Sequence, residues 1–254
     1  MFFALHQQES FIRDFGEQYE PVNPLIENKF QRCYLNLNRR WKSHRQALIS
    51  MLYDRNLLDK GFNSFSGKDF KIKYNDIISS EKDFKSLFID FTSRELHEIF
   101  RRSKGVYDLF PLRLDTDSFS SSLAHTTQKP LSKYFRSSYF SVVTETLYDY
   151  PIRFITEKIF RPISFKHPFI IMCAPNSLEI LHRLGYKTFH PYINESYNKE
   201  TDPNKRLIMI VDEIERLSNL NQNELDDYRT NLIPIVEHNY KQLMSKQQIY
   251  RKLL

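Results

Sequence analysis

Glycine is scarce in this chain, with five residues in 254. No G-x-G-x-x-G and no G-x-x-x-x-G-K pattern occurs, which argues against a glycine-rich dinucleotide turn and a Walker-type phosphate loop. The same scarcity excludes collagen-like and Gly-linker designs. Cysteine is rarer still, with two residues, Cys33 and Cys173. They lie far apart, each in an apolar run, and no C-x-x-C or H-x-x-x-H spacing exists. A structural zinc site is therefore not expected, and two buried free thiols in a reducing compartment are. No run of about 18 apolar residues is present, so no membrane span is expected. The start, MFFALHQQESFIRDFGEQ, has a short apolar run followed by charge and lacks a basic leader, which does not read as a secretory signal. The expected location is cytoplasmic.

Aromatic residues are abundant, with 21 Phe and 15 Tyr, and hydrophobic residues make up 41% of the chain against 27% charged. That composition supports a packed core in one sizeable domain or two small ones. The formal charge is +6. A modest basic excess suits an anionic partner such as a nucleotide, a phosphosugar or nucleic acid, and equally a solubilising surface.

Residues 1–30 read as a lead-in of short helix and loop, punctuated by Pro21 and Pro24. QRCYLNL (31–37) alternates as a strand. Residues 41–59 carry apolar residues at roughly helical spacing, with Gly61 as a C-cap, and 62–66 is a candidate second strand. An insertion at 67–137 follows. It contains a short helix at 94–102, candidate strands at 86–91 and 106–112, and a Ser/Thr-rich loop at 116–127. In the second half, strands are expected at 139–146, 168–174 and 186–193. A strand end runs into a helix over 153–166, interrupted by Pro162. Asn176 and Glu179 match a capping box for a helix that Gly185 stops. Asp202 caps a further helix that starts on Pro203. The tail 221–254 is one long helix, or two broken near Pro234. Strands alternating with helices predict an α/β fold, a Rossmann-like parallel sheet flanked by helices, spanning 31–220.

In an open parallel sheet, ligands bind beyond the carboxyl ends of the strands. Asn38, Arg39 and Arg40 follow the first strand, with His44 and Arg45 one helical turn later. These groups form either a phosphate-chelating cluster or a solvated basic helix start. Thr156, Glu157 and Lys158 open a helix, with Thr156 as the N-cap. Glu157 suits the positive helix end, whereas Lys158 opposes it by a few tenths to roughly 1 kcal/mol, a conflict that a bound phosphate removes. The alternative is an exposed Glu–Lys pair. Glu145, at the end of VVTET, is a candidate general base, a sugar anchor or a surface carboxylate. The remaining histidines show no ligand spacing, and no metal site is assigned.

The segment FSVVTETLYDYPIRFITEKIFRPISFKHPFIIMCAPNSLEILHRLGYKTF resembles the donor-binding half of α-1,3-fucosyltransferase-like glycosyltransferases. Phe140 to Thr146 match an F-x-x-x-x-E-[NT] strand end. Phe154 to Lys158 match a [YF]-[IV]-T-E-K helix start, and Pro168 to Ile171 match a P-x-[IV]-[IV] strand. YLNLNRRWKSHRQALISMLYDRNLLDKG is similar to that family's strand, Arg-bearing turn and helix. The chain looks still more like phage-type proteins carrying L-N-R-R-x-x-x-H-R and T-E-K-x-F-[KR]-P-I. The resemblance covers about 31–66 and 138–217.

It implies a GT-B-type donor domain and a nucleotide-sugar co-substrate, with no cofactor and no obligatory metal. It implies that Arg39 or Arg40 meets the pyrophosphate together with Lys158, that Glu157 holds the ribose, and that Glu145 lies near the sugar. The expected activity is transfer of a sugar from a nucleoside diphosphate to a hydroxyl on a glycan or a modified DNA base. Only about 30 residues precede the first strand, where that family carries its acceptor domain. The acceptor side then comes from the 67–137 insertion, the C-terminal helices, a partner subunit or nowhere, and the candidate bases in the insertion include Asp108, Asp115 and Asp117. A non-catalytic nucleotide- or nucleic-acid-binding module is the competing expectation.

Overall fold

The computed structural model describes residues 8, 23–38, 40–65, 85–110, 112, 114 and 129–253. Four strands, β1 (Tyr34–Leu37), β2 (Gly61–Ser64), β3 (Phe140–Thr144) and β4 (Phe169–Met172), form one sheet in the order β2-β1-β3-β4, and every pairing is parallel. The longer helices among the described residues include α1 (Pro24–Glu27), α2 (Ser43–Asp54), α3 (Arg94–Arg102), α4 (Lys129–Arg136), α5 (Glu157–Ser164), α6 (Leu178–Arg183), α7 (Pro203–Leu217) and α8 (Gln222–Leu253). This is the expected α/β, Rossmann-like arrangement.

β3 and β4 are buried along their whole length, which is why FSVVT and FIIM read as nearly unbroken apolar runs. One large core joins Tyr34, Phe140 and Val142 of the sheet to α2, α5, α7 and α8. A smaller cluster joins Leu35 to Leu131 and Phe135 of α4 and to Phe165. The start of α7 is as expected: Asp202 accepts from the backbone of Asn204 and Lys205, and Pro203 occupies the first turn.

Several expected elements are absent or displaced. Residues 85–87 form a helical turn, residues 103–109 a 3-10 helix, and 186–193 an irregular segment, so none of the three candidate strands there exists. Residues 153–156 pair with no strand, although the helix after them is present. The helix after β1 ends at Asp54, and Gly61 opens β2 instead of capping it. Pro162 does not interrupt α5. It sits in the last turn, where the helix ends two residues later and few downstream bonds are lost. The N-terminus of α6 has no Asn176 cap, because Asn176 adopts a left-handed backbone (φ 60°). The side chain of Asn198 caps it instead, accepting from the Leu178 N–H at 3.1 Å. The tail is a single helix through Pro234. The Ser/Thr-rich run 116–127 lies outside the described residues.

Gly185 ends α6 with φ +87°, and a Cβ there would run into the Gln242 amide of α8. That amide donates to the Leu184 carbonyl at 2.7 Å, so it is not free to move aside. Gly185→Ala is expected to cost about 1–2 kcal/mol. A calorimetric melting temperature lowered by roughly 2–8 °C is the check, and an unchanged one would contradict it.

Candidate functional site

The strand order places a topological switch between β1 and β3. From β1 the chain moves outward to β2, then returns across the sheet to β3 and continues to β4 on the other side. Loops leaving β1 and β3 therefore diverge and open a crevice at their carboxyl ends. The segments selected from sequence, 38–45 and 145–158, lie at these two exits.

α2 starts beneath this crevice, and its residues 43–52 are all buried. Its two basic side chains are therefore turned inward. His44 Nε2 donates to the Glu145 carbonyl at 2.9 Å, and its ring stacks on Tyr148 with centroids 5.5 Å apart. Burial pulls its pKa below the ordinary histidine value, although Asp90 stands 3.7 Å from Nδ1. The Arg45 guanidinium donates to the Arg40 carbonyl at 2.9 Å and the Thr144 carbonyl at 3.1 Å, and reaches the Glu145 carbonyl at 3.4 Å. Burial pushes its pKa down to about 10, against the pull of Glu145 and Glu157, so it stays charged at neutral pH. The expected phosphate contact from His44 and Arg45 is thus corrected: both lash the loop after β1 to the end of β3.

Asn38 is likewise buried. Its side-chain amide donates to Asn36 Oδ1 at 2.8 Å, and its Oδ1 accepts from the Thr144 hydroxyl. Arg40 is exposed, and Arg39 lies outside the described residues.

Thr156 caps α5 as its sequence position implied. Its hydroxyl donates to Glu145 Oε2 at 2.6 Å and its backbone N–H to Oε1 at 3.0 Å. Glu145 is 0% exposed, so its carboxyl positions α5 and does not reach solvent as a base or a sugar anchor. Burial raises its pKa, with Lys158 and Thr156 pulling the other way.

The Lys158 ammonium lies at the mouth of the crevice, 2.9 Å from Thr156 Oγ1, 3.1 Å from Glu157 Oε1 and 3.4 Å from Thr146 Oγ1. Lys158 and Glu157 are each about a third exposed, at 31% and 30%. Burial alone would raise the Glu157 pKa, but the Lys158 charge and hydrogen bond, with Arg161 behind them, hold it below its ordinary value. Arg45 and Lys158 therefore converge on the stretch 144–146 from two sides, one through backbone carbonyls and one through a threonine hydroxyl.

Below Lys158, between α5 and the sheet, lies a hollow of ≈ 40 Å³. Leu35, Leu37, Val143 and Phe135 form its apolar wall, with Lys158 and Arg161 on α5. Arg161 was not selected from sequence, although its i+3 spacing from Lys158 was the available signal. Asp108, one of the candidate bases, is exposed, and Asp115 and Asp117 lie outside the described residues. Both cysteines are free; Cys173 is buried and Cys33 only half-buried. Among the described residues no group of three or more His, Cys, Asp or Glu could hold a metal ion, and no helix is long and apolar enough to cross a membrane.

Compared with known proteins, the chain matches no protein-family model, no curated protein and no solved structure.

Proposed function

We propose that this chain is the donor-binding part of a glycosyltransferase that moves a sugar from a nucleoside diphosphate to a hydroxyl acceptor, in the cytoplasm. The observation that carries the reading is the convergence of Lys158, the α5 N-terminus and the Arg40 loop at the β1/β3 switch, together with the sequence resemblance. Lys158 exchanges its Glu157 partner for phosphoryl oxygens, aided by the positive end of the α5 dipole. Glu157, released, accepts from the ribose hydroxyls. Fixed cations aimed at a diphosphate stabilise the charge that grows on it as the glycosidic bond breaks. The acceptor is a glycan hydroxyl or a hydroxymethylated base in DNA.

A second reading, a nucleotide- or nucleic-acid-binding module without catalysis, is favoured by one feature. The carboxyl expected to act near the sugar, Glu145, is fully enclosed with both oxygens engaged.

Thermal shift with GDP-, UDP-, CMP- and dTDP-sugars separates these readings. A donor at about 100 times its Kd stabilises the folded chain by about 2.7 kcal/mol, roughly 5–10 °C for a chain of this size. Wild type is expected to show that rise with one base, and Lys158→Ala to melt near wild type without it. No rise with any donor overturns the transferase reading and the nucleotide-binding form of the second. A rise without sugar release to any acceptor selects the second. Binding to DNA is expected to fall steeply with added salt if DNA is the acceptor, and a flat salt response counts against it.

A further inference from the structure

We infer that Ile89, Tyr150 and Ile152, on two neighbouring turns at the rim of the crevice, form a docking surface for a short segment of a partner protein that carries basic and apolar side chains. The inference stands whether or not the chain binds a nucleotide.

The first observation is where the apolar exposure falls. Among the described residues the large hydrophobics left exposed are Ile26, Ile89, Leu109, Tyr150 and Ile152. Three of these five lie on two turns that touch. The Phe91 and Tyr148 rings meet with centroids 5.7 Å apart, and Ile89 and Tyr150 each stand two residues from that contact. Residues 149–152 are exposed without a break. Single exposed apolar side chains are ordinary, whereas a group of them marks an interaction surface.

The second is that the exposure is built in. Tyr148 is buried; its hydroxyl donates to the Pro203 carbonyl at 2.8 Å, and its own carbonyl accepts from Arg206 at 2.9 Å. On the other side, Arg153 donates to Glu179 at 2.9 Å and to the Asn176 carbonyl at 3.4 Å, and Ile155 is buried. The tip is thus pinned at both ends, and Pro151 restricts it further. A tip held in this way keeps Tyr150 and Ile152 in water, and loses little conformational freedom when a partner covers them.

The third is charge, which selects the occupant. Among the described residues Asp149 has no hydrogen-bond or ion-pair partner. Burial raises its pKa, Arg206 pulls the other way, and the neighbouring Asp90 and Asp202 raise it again. Arg206 is buried and spent on carbonyls, Arg153 is paired with Glu179, and Lys205 offsets Asp202. On a chain of net charge +6 this rim is therefore locally acidic. It repels phosphates, and a Lys or Arg beside an apolar side chain matches both of its features. A second copy of the chain fits poorly. Three side chains fall well short of the about 800 Å² per partner that a stable dimer buries. A two-fold pairing through this face would also bring like carboxylates together.

The test is fluorescence anisotropy at low salt with three labelled hexapeptides, alternating Lys–Leu, Glu–Leu and Lys–Ser. It uses wild type, Tyr150→Ser/Ile152→Ser, Ile89→Ser, Asp149→Lys and, as a control on α1, Ile26→Ser. Circular dichroism melts establish that each variant is folded. Wild type is expected to bind the Lys–Leu peptide about 10-fold more tightly than the other two, because it alone offers both charge and apolar surface. Tyr150→Ser/Ile152→Ser and Asp149→Lys should each weaken that binding about 10-fold, the scale of a lost interface anchor or charge pair. Ile89→Ser should weaken it less, and Ile26→Ser not at all. Failure of wild type to bind the Lys–Leu peptide overturns the docking surface. Equal affinity for the Glu–Leu peptide, or undiminished binding by the folded double variant, does the same. A dimer that light scattering detects in wild type and not in the double variant gives the face to a second copy and overturns the partner assignment.

Discussion

Replacing Glu145 by alanine lowers the unfolding free energy by about 3–5 kcal/mol, the range for removing one member of a fully buried hydrogen-bonded charge network. Four elements meet at this residue. Its backbone N–H donates to the Met172 carbonyl at the end of β4. Its carbonyl accepts from His44 and Arg45 of α2. Its carboxyl holds both the N–H and the hydroxyl of Thr156, which caps α5. Alanine keeps the backbone bonds and deletes the carboxyl, leaving two Thr156 donors facing a void. A melting temperature lower by roughly 10 °C or more is the expected reading, and a drop of less than about 2 °C would remove the carboxyl from its bracing role.

Glu145→Gln separates hydrogen bonding from charge, because the amide oxygen still accepts from the Thr156 N–H. Burial raises the pKa of Glu145 in the folded chain above the unfolded value of 4.5. The folded state therefore holds this proton more tightly. Its stabilising contribution is complete below 4.5 and is lost as pH rises through the folded pKa. Wild type should lose stability across that window by an amount that Glu145→Gln does not.

What was legible in the sequence follows from what each segment touches. FSVVT, FIIM and YLNL are parallel strands buried along nearly their whole length, so composition alone identifies them. The three false strands are equally rich in aromatic and branched residues but are buried with a different rhythm. In 186–193 the buried apolar residues are Tyr186, Phe189 and Ile193, three and four apart. In 86–91 they are Leu87, Phe88 and Phe91, with Ile89 exposed. Neither spacing alternates, and short apolar runs do not distinguish a strand from an irregular segment lying on a core.

The site was half legible for a related reason. Thr156 and Lys158 act locally, through a cap and a first-turn side chain, and local signals survive in sequence. His44 and Arg45 were misassigned because a basic helix start normally faces water. α2 is instead buried on every side, so its cations point to carbonyls about 100 residues away, a geometry fixed by the packing of β3. Arg206 is turned inward in the same way. It is 1% exposed, binds the carbonyls of Tyr148, Glu200 and Thr201, and lies 4.3 Å from the Tyr148 ring. Two buried guanidiniums thus fix the β3–α5 connection, which a rigid anion cradle at α5 needs.

Acid is expected to lower the stability of this chain through His167, starting well above the range where most carboxylates titrate. The ring is 1% exposed, between the starts of β3 and β4. Its Nε2–H donates to the Ser138 carbonyl at 2.7 Å and its Nδ1 accepts from the Ser141 hydroxyl at 2.7 Å, so the neutral ring is satisfied on both sides. The Phe135 ring meets it edge-on at 5.4 Å. Burial pushes its pKa from 6.5 down to about 4. The sign follows directly. Below 6.5 the unfolded chain takes up this proton and the folded chain refuses it, so the stabilisation, complete above 6.5, is lost as pH falls to about 4. By about pH 5 the loss from this residue is about 2 kcal/mol, and at full extent about 3 kcal/mol. His44, also lowered by burial, acts in the same direction, whereas the raised Glu145 and Glu195 oppose it. His167→Gln isolates the term, since its amide can donate to Ser138 without titrating. Urea unfolding of both proteins near pH 7.5 and near pH 5 should show wild type losing about 2 kcal/mol more than the variant between the two conditions. Equal losses would mean that the buried imidazole does not set the acid limit, and that the carboxylates do.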